Sequence, residues 1–246
     1  MSAATVIDPK ADVVLQIRGL TLPGQTTIQS LDLVVRKGET VALLGDDQVE
    51  LTEIIRVVGG LSRPAGGSVN LLGIDVVKAD REALLRLRRR VGYVSIAGGL
   101  LSNMSVRANI ELALRYHARG NAAYVRKQTD ALLEEAGLTS LAREPASVIP
   151  AEYQKCAAYV RALACEPEVL LVEDPAAFLH PEGRFVIERV HARLRTTQTT
   201  VLLADDDVDL ASRLVQRAIW LTDGTITHDG PFEALQRPTT VRTEIP

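Results

Sequence analysis

The sequence is short of cysteine, with two thiols, Cys156 and Cys165, in 246 residues. That excludes a disulfide-stapled scaffold, and the pair lacks the spacing of a zinc site, so free thiols in a reducing compartment are expected. Positive charge is not in excess: 28 Lys and Arg stand against 31 Asp and Glu, a net charge of −3. This argues against a globally basic nucleic-acid binder, and no nucleic-acid partner is expected. No apolar run approaches the roughly 20 residues of a membrane span. The initial stretch MSAATVIDPKAD has no apolar core followed by a cleavage site, so no secretory leader is expected. Aromatic residues are few, 4% with a single tryptophan, and there is neither a tandem repeat nor a low-complexity tract. What is abundant is ordinary: 46% apolar and 24% charged residues, the balance of a globular protein and not of a disordered chain. The length suits one sizeable domain, or one domain with a small inserted lobe.

Short apolar runs alternate with longer amphipathic ones, the pattern of an α/β domain with a largely parallel sheet. Val13 to Ile17 and Ser30 to Val35 read as strands, and Val41 to Leu44 is a solid apolar run suited to a buried central strand. After Gly45 a polar stretch leads into a helix with Leu51, Ile54, Ile55 and Val58 on one face. Glycines and Pro64 punctuate the way to a strand at Ser68 to Leu72. From about Ala79 to Leu141 the pattern is mostly helical, with stripes at Ala83, Leu84, Leu87 and Val91, at Val106, Ile110, Leu112 and Leu114, and at Leu132, Leu133 and Ala136. A helix around Glu152 to Ala164 precedes the strand Val169 to Val172, which ends in the acidic pair Glu173–Asp174. A helix after Pro181, a strand Thr200 to Leu203 and short runs around Trp220 and Ile226 complete a single domain over 1–246. Its core is expected at about 13–95 and 160–235, its helical lobe at about 96–159, and a loosely ordered tail at 237–246.

Strand, glycine, loop and helix at Val41 to Val58, followed by a helical lobe and a strand ending in carboxylates, resemble the nucleotide-binding subunit of an ATP-binding cassette (ABC) transporter. The framework phrases that carry the resemblance are LDLVVRKGETVALLG (Leu31 to Gly45), GGLSRPAGGSV (Gly59 to Val69), VGYV (Val91 to Val94), VRALACEPEVLLVEDP (Val160 to Pro175) and AIWLTDGTITHDG (Ala218 to Gly230). They run in one order over about Leu15 to Leu235. The resemblance implies a P-loop NTPase-like α/β cassette: a mixed, mainly parallel core sheet, N-terminal antiparallel strands and an inserted helical lobe.

The residues aligned with the family's chemical motifs depart from them. A working phosphate loop needs glycines, so that backbone N–H groups converge on the triphosphate, and a lysine to neutralise it. Against the pattern G-x-x-G-x-G-K-[ST]-T the chain reads GDDQVELTE, Gly45 to Glu53, and only Gly45 and Thr52 match. Gln48 and Glu50 replace the later glycines, and Leu51 replaces the lysine. Asp46, Asp47 and Glu50 bring negative charge where an anion would dock. At about 5 Å and an effective dielectric near 20, each opposes a unit phosphate charge by roughly 3 kcal/mol. Ile96 stands for the glutamine that follows G-Y-V-F, and Ile149, Pro150, Ala151, Glu152 and Tyr153 stand for the signature L-S-G-G-Q. Proline removes a backbone donor there, and Glu152 adds a charge facing phosphate. The acidic pair D-E appears with its lengths exchanged as Glu173–Asp174, a shift of the order of 1 Å that can cost ~100-fold in rate. His180 replaces the aspartate of S-x-L-D, Asp206 replaces the histidine of V-T-H-D, and no stacking aromatic lies near Leu22 to Gly24.

The resemblance, together with these departures, implies a cassette subunit that has kept the fold and lost ATP turnover. On that reading no residue is catalytic and Glu173, Asp174, Asp206 and Ile96 are vestigial. No metal is held, and no cofactor is expected, ATP and Mg²⁺ binding only if the divergent loop still accepts them. Isolated Thr52 reads as a capping or solvated residue. Asp205, Asp206, Asp207 and Asp209 read as a solvated turn, lacking the glycine and distal glutamate of a calcium loop. His180 and His191 read as surface or satisfied histidines, and Arg86, Arg88, Arg89 and Arg90 as a solvated helix face, with contact to an acidic partner or a membrane surface second.

The stretch NMSVRANIELALRYHARG, Asn103 to Gly120, is similar in wording to subunits of Mce-type (mammalian-cell-entry) lipid transporters, including the Mla systems. The family's permease-docking groove lies beside it. That implies a partner-binding set of Asn103, Met104, Val106, Arg107, Asn109 and Tyr116. A membrane permease is the implied partner, with an intact ATPase subunit or a second copy as pairing mate, and the place is cytoplasmic, on the inner face of the membrane. Two alternatives stay open. A divergent but active ATPase would use Glu173 for magnesium, Asp174 as base and Arg56 as the only nearby cation. A scaffold unconnected to a membrane would tolerate charge substitutions around Asn103 to Tyr116.

Overall fold

The computed structural model describes residues 12–117, 121–180, 184–194 and 197–235. The tail at 237–246, the first eleven residues and Pro181 lie outside them.

Two sheets form among the described residues. The first is antiparallel, in the order β2 (Leu31–Arg36), β1 (Val13–Thr21), β4 (Gly66–Leu71), β5 (Ile74–Asp75). The second runs β10 (Thr225–Pro231), β9 (Arg217–Thr222), β3 (Thr40–Gly45), β8 (Thr200–Ala204), β7 (Val169–Glu173), β6 (Val91–Val94). Its strands from β9 to β6 are parallel, and β10 closes one edge as an antiparallel hairpin with β9. The fold is thus α/β with antiparallel N-terminal strands and a helical lobe, as the resemblance implied.

The solid apolar run of β3 follows from burial on both faces. Val41 and Leu43 join a core shared with the first sheet and α1 (Gln48–Val58), while Ala42 and Leu44 face α5 (Ala151–Leu163), α6 (Arg184–Leu194) and α7 (Val208–Leu214). β7 divides in the same way, with Val169 and Leu171 on one side and Leu170 and Val172 on the other. α1 fills the space between the two sheets with Leu51, Ile54, Ile55, Val57 and Val58.

The helical stretch is not continuous. α2 (Arg81–Arg88) ends where Val91 enters β6, so the stripe through Ala83, Leu84, Leu87 and Val91 spans a helix and a strand. The lobe then uses α3 (Val106–His117), α4 (Ala122–Glu135) and the start of α5 around a third core of Val106, Ile110, Leu133, Leu138, Ile149 and Cys156. Leu112, grouped by spacing with Val106 and Ile110, points outward and is 43% exposed.

Candidate nucleotide site and lobe cleft

Because β3, β8 and β7 are parallel neighbours, their C-terminal ends bring Gly45, Asp205 and Glu173 to one edge of the sheet. That is where an open α/β sheet binds ligands.

Gly45 has a packing reason of its own: a Cβ there would lie 2.5 Å from the Leu221 carbonyl of β9. At the start of α1 the chain satisfies its own anion-binding donors. Asp47 is the N-cap, and its Oδ1 accepts from the backbone N–H of Val49 (2.9 Å) and of Glu50 (3.1 Å). Glu50 turns away to the loop before β2, accepting from Thr26 Oγ1 (2.6 Å), Thr27 N (2.5 Å) and Thr27 Oγ1 (2.6 Å). Burial pushes the Glu50 carboxyl up, but these three bonds outweigh it and hold it below the usual range. Two of the three acids that the sequence sets against an anion are therefore bonded within the chain, Asp47 locally and Glu50 to the loop before β2, while Asp46 is exposed. Leu51 is 2% exposed within the core, and Thr52 is buried a turn into α1, so it is neither cap nor solvated. Leu51→Lys is expected to lower stability by about 2–3 kcal/mol, the worth of a buried leucine side chain, in urea unfolding.

Glu173 is buried and fully bonded. Its Oε1 accepts from Arg56 Nε at 2.7 Å and from the Tyr93 hydroxyl, and its Oε2 accepts from Ile96 N at 2.9 Å. Burial raises its pKa, yet the donors from Arg56, Tyr93 and Ile96 bring it below the usual range. Arg56, the cation closest in sequence to the missing lysine, is thus spent on Glu173. Ile96 takes part through its backbone N–H.

Beyond Glu173 the chain turns left-handed at Asp174 (φ 36) and again at Phe178 (φ 65), a side chain 76% exposed. Buried Lys155 of α5 closes the site from the lobe side, donating to the carbonyls of Asp174 (2.9 Å) and Ile96 (2.8 Å). Desolvation lowers its pKa to about 8. Asp205 is 1% exposed; its Oδ1 accepts from Asp207 N, its Oδ2 has no partner, and burial pushes its pKa up to about 8. Burial pushes the Asp174 carboxyl up against the pull of Lys155, and exposed Asp206 adds to the rise. Asp207 caps α7 and pairs with Arg184. The run from Asp205 is therefore not one solvated turn: it holds a buried acid, a cap and two exposed acids, Asp206 and Asp209. Among the described residues, no group of three or more His, Cys, Asp or Glu is placed to hold a metal ion. His191 is buried against the Tyr159 hydroxyl (3.1 Å), and His180 is exposed.

At the start of α5, Pro150 is the N-cap and supplies no side-chain bond. Ile149 is buried in the lobe core, Ala151 is exposed, and Glu152 and Tyr153 are half-buried.

Of the proposed partner set, Val106 and Asn109 are 0% exposed. Asn109 donates to the carbonyls of Leu101, Met104 and Ser105 and accepts from Leu101 N, so it folds the turn into α3 instead of meeting a partner. Arg107 pairs with Asp130 at 2.6 Å, Met104 is half-buried, and Asn103 and Tyr116 are exposed. Tyr116 does line a cleft of ≈ 390 Å³ between lobe and core, with Leu112, Tyr93, Arg161, Arg88 and Arg89. The arginine cluster divides accordingly, since Arg90 is tied to Glu168 (2.5 Å) and Arg86 to Glu82 (2.6 Å).

The family model described as "ABC transporter" matches residues 28–177, more than half of the chain. The chain belongs to the ABC transporter family. Among relatives of this cassette, a phosphonates import ATP-binding protein, PhnC, from Stutzerimonas stutzeri is 33% identical over 87% of the chain and 83% of its own length. Phosphate import ATP-binding protein PstB 2 from Natronomonas pharaonis is 30% identical over 92% and 83% respectively. The methionine import ATP-binding protein MetN of Brucella abortus is 30% identical, and the cassette spans 57% of that protein's length. In structure it superposes on the dimeric ATP-binding cassette MJ0796 bound to ADP and Pi with a TM-score of 0.80, at 22% identity over 90% of the chain and 100% of that cassette.

The Arg56–Glu173–Tyr93–Ile96 and Lys155 contacts escaped the sequence reading, because they join residues far apart in the chain. The Asp47 cap carried a local signal, Asp-x-x-Glu at 47–50, which is a capping-box pattern.

Proposed function

We propose that this cassette is a subunit of a membrane ABC transporter that docks on a permease in a structural or regulatory role and does not hydrolyse ATP. The observation that carries the reading is the Asp47 carboxylate on the N–H groups of Val49 and Glu50, the donors a phosphate would need. A triphosphate entering this loop would have to expel that carboxylate, with no lysine at position 51 to offset the repulsion. Mg²⁺ fits no better, since Glu173 already has Arg56 as its counter-charge. No catalytic step is therefore assigned to these residues.

The cleft with Arg88, Arg89, Leu112 and Tyr116 suits an amphipathic permease segment carrying acidic side chains. No described helix is long and apolar enough to cross a membrane, so attachment to the inner face would come through that permease. The related proteins named for phosphate, phosphonate and methionine import support a transporter role. An Mce-type lipid system is our reading of cargo and rests on the wording of Asn103 to His117. Part of that wording serves the internal turn built by Asn109.

The test is direct. An intact site at 100 times its Kd would add about 2.7 kcal/mol of stability. The purified protein with Mg-ATP is expected to show no thermal shift and no phosphate release. Stabilisation together with turnover abolished by Asp174→Asn would establish the divergent ATPase instead.

A further inference from the structure

The segment 95–99 joins β6 of the core sheet to the lobe, and it contains two left-handed glycines, Gly98 (φ 74) and Gly99 (φ 65). Such a glycine linker has intrinsic backbone freedom, yet here it is bonded from both sides. From the core, Glu173 accepts from Ile96 N at 2.9 Å. From the lobe helix α5, Lys155 donates to the carbonyls of Ser95 (3.4 Å) and Ile96 (2.8 Å), and Arg161 to those of Gly98 (3.0 Å) and Gly99 (2.6 Å). The Glu173 carboxylate is in turn held by Arg56, from α1, and by the Tyr93 hydroxyl, from β6. Tyr93 and Arg161 also line the cleft between lobe and core. One chain of bonds therefore runs from the helix after the altered phosphate loop, through Glu173, to the linker and the walls of the cleft.

We propose that Glu173, braced by Arg56, is a positioning residue that fixes the 95–99 linker from inside the protein, so that the cleft keeps one shape whether or not nucleotide is present. The proposal rests on the reading above, in which no nucleotide acts at this site. A group supplied from outside would set the linker only while bound. A carboxylate supplied by β7, with its charge met by Arg56 and its remaining lone pairs met by Tyr93 and Ile96, sets it permanently. The cleft then presents Leu112, Tyr116, Arg88 and Arg89 in constant register to a docking segment.

The protein carries its own reporter. Cys165 lines the cleft, with its thiol against the Ala113 carbonyl at 3.5 Å, and it can be followed by iodoacetamide labelling resolved by peptide mass. In the wild type, hydrogen exchange at 95–99 and the Cys165 labelling rate should be unchanged within about two-fold by Mg-ATP. Arg56→Gln and Glu173→Gln should each speed exchange at 95–99 about ten-fold and Cys165 labelling about five-fold, while amides of the β1–β2 pair change only by the factor that the same variant's loss of global stability in urea dictates. Tyr93→Phe, which removes a single hydroxyl, should give a change of about three-fold and serves if the charge variants do not fold. Folded variants that keep wild-type rates at both reporters, beside a wild type silent to Mg-ATP, would overturn this role of Glu173 alone. Protection of 95–99 by Mg-ATP in the wild type would overturn it together with the reading that no nucleotide acts here.

Discussion

Asp205→Asn should stabilise the protein by roughly 5 kcal/mol at pH 8.5 and by about 2 kcal/mol at pH 5, read from urea unfolding at the two pH values. Asp205 is 1% exposed at the end of β8, its Oδ2 has no partner, and burial raises its pKa from the ordinary 3.8 to about 8. Between those values the native state holds a proton that the unfolded chain has released, so wild-type stability falls as pH rises through that window. Each pH unit is worth about 1.4 kcal/mol, and the amide variant is spared the loss because it does not titrate. Its Oδ1 still accepts from Asp207 N, so the turn into α7 survives the exchange. Asp174, Asp206 and Asp207 add to the burial that opposes ionisation of Asp205. For a domain of this size the gap at pH 8.5 corresponds to a Tm increase on the order of 10–20 °C. A difference of equal size at both pH values would show that Asp205 is not the titrating group.

The same burial explains what could and could not be read from the sequence. β3 was legible because both of its faces are covered, so four consecutive apolar residues sufficed to mark it. The lobe helices were legible where their stripes face inward, at Val106, Ile110 and Leu133, and misleading at Leu112, where the apolar residue faces the cleft. Val91 was misread because spacing cannot tell the last turn of α2 from the first residue of a short buried strand. At the candidate site, residue identities marked Leu51, Glu50, Ile96 and Asp206 as differing from the family pattern, but charge counting treated every acid as a free repulsive group. The folded chain uses them differently: Asp47 caps α1 and Glu50 ties down Thr26 and Thr27, whereas Asp46 and Asp206 are left in solvent. Side-chain contacts across the sheet edge leave no periodic trace, so neither Asn109 as an internal turn former nor Arg56 as the mate of Glu173 was accessible from spacing.

Arg56→Gln should cost about 3 kcal/mol at pH 7, while adding Glu173→Gln to it should recover about 2 kcal/mol of that loss. Removing one member of a buried pair leaves an uncompensated charge, which ordinarily costs about 3–5 kcal/mol. The lower end applies because Arg56 keeps 44% of its side chain in solvent, against 2% for Glu173. With Arg56 gone, Tyr93 and Ile96 still donate to the carboxylate, but its countercharge is missing. Neutralising Glu173 removes that charge, and the two amides can bond each other, so the double variant sits closer to the wild type than the single one. The sign with pH is fixed by the same contacts. In the wild type the Glu173 carboxyl is held below its ordinary 4.5, so the pair stabilises the fold above that value and the contribution is lost as pH falls through the folded pKa. In Arg56→Gln the carboxyl relaxes upward and protonates sooner, so the deficit measured at pH 7 should narrow at pH 4.5. Urea unfolding of the four proteins at both pH values gives the coupling energy directly. A coupling near zero would mean that the contact is a surface ion pair of little worth. A coupling of about 2 kcal/mol plus the cost of Glu173→Gln alone would show that the carboxylate at the end of β7 takes its countercharge from the chain itself.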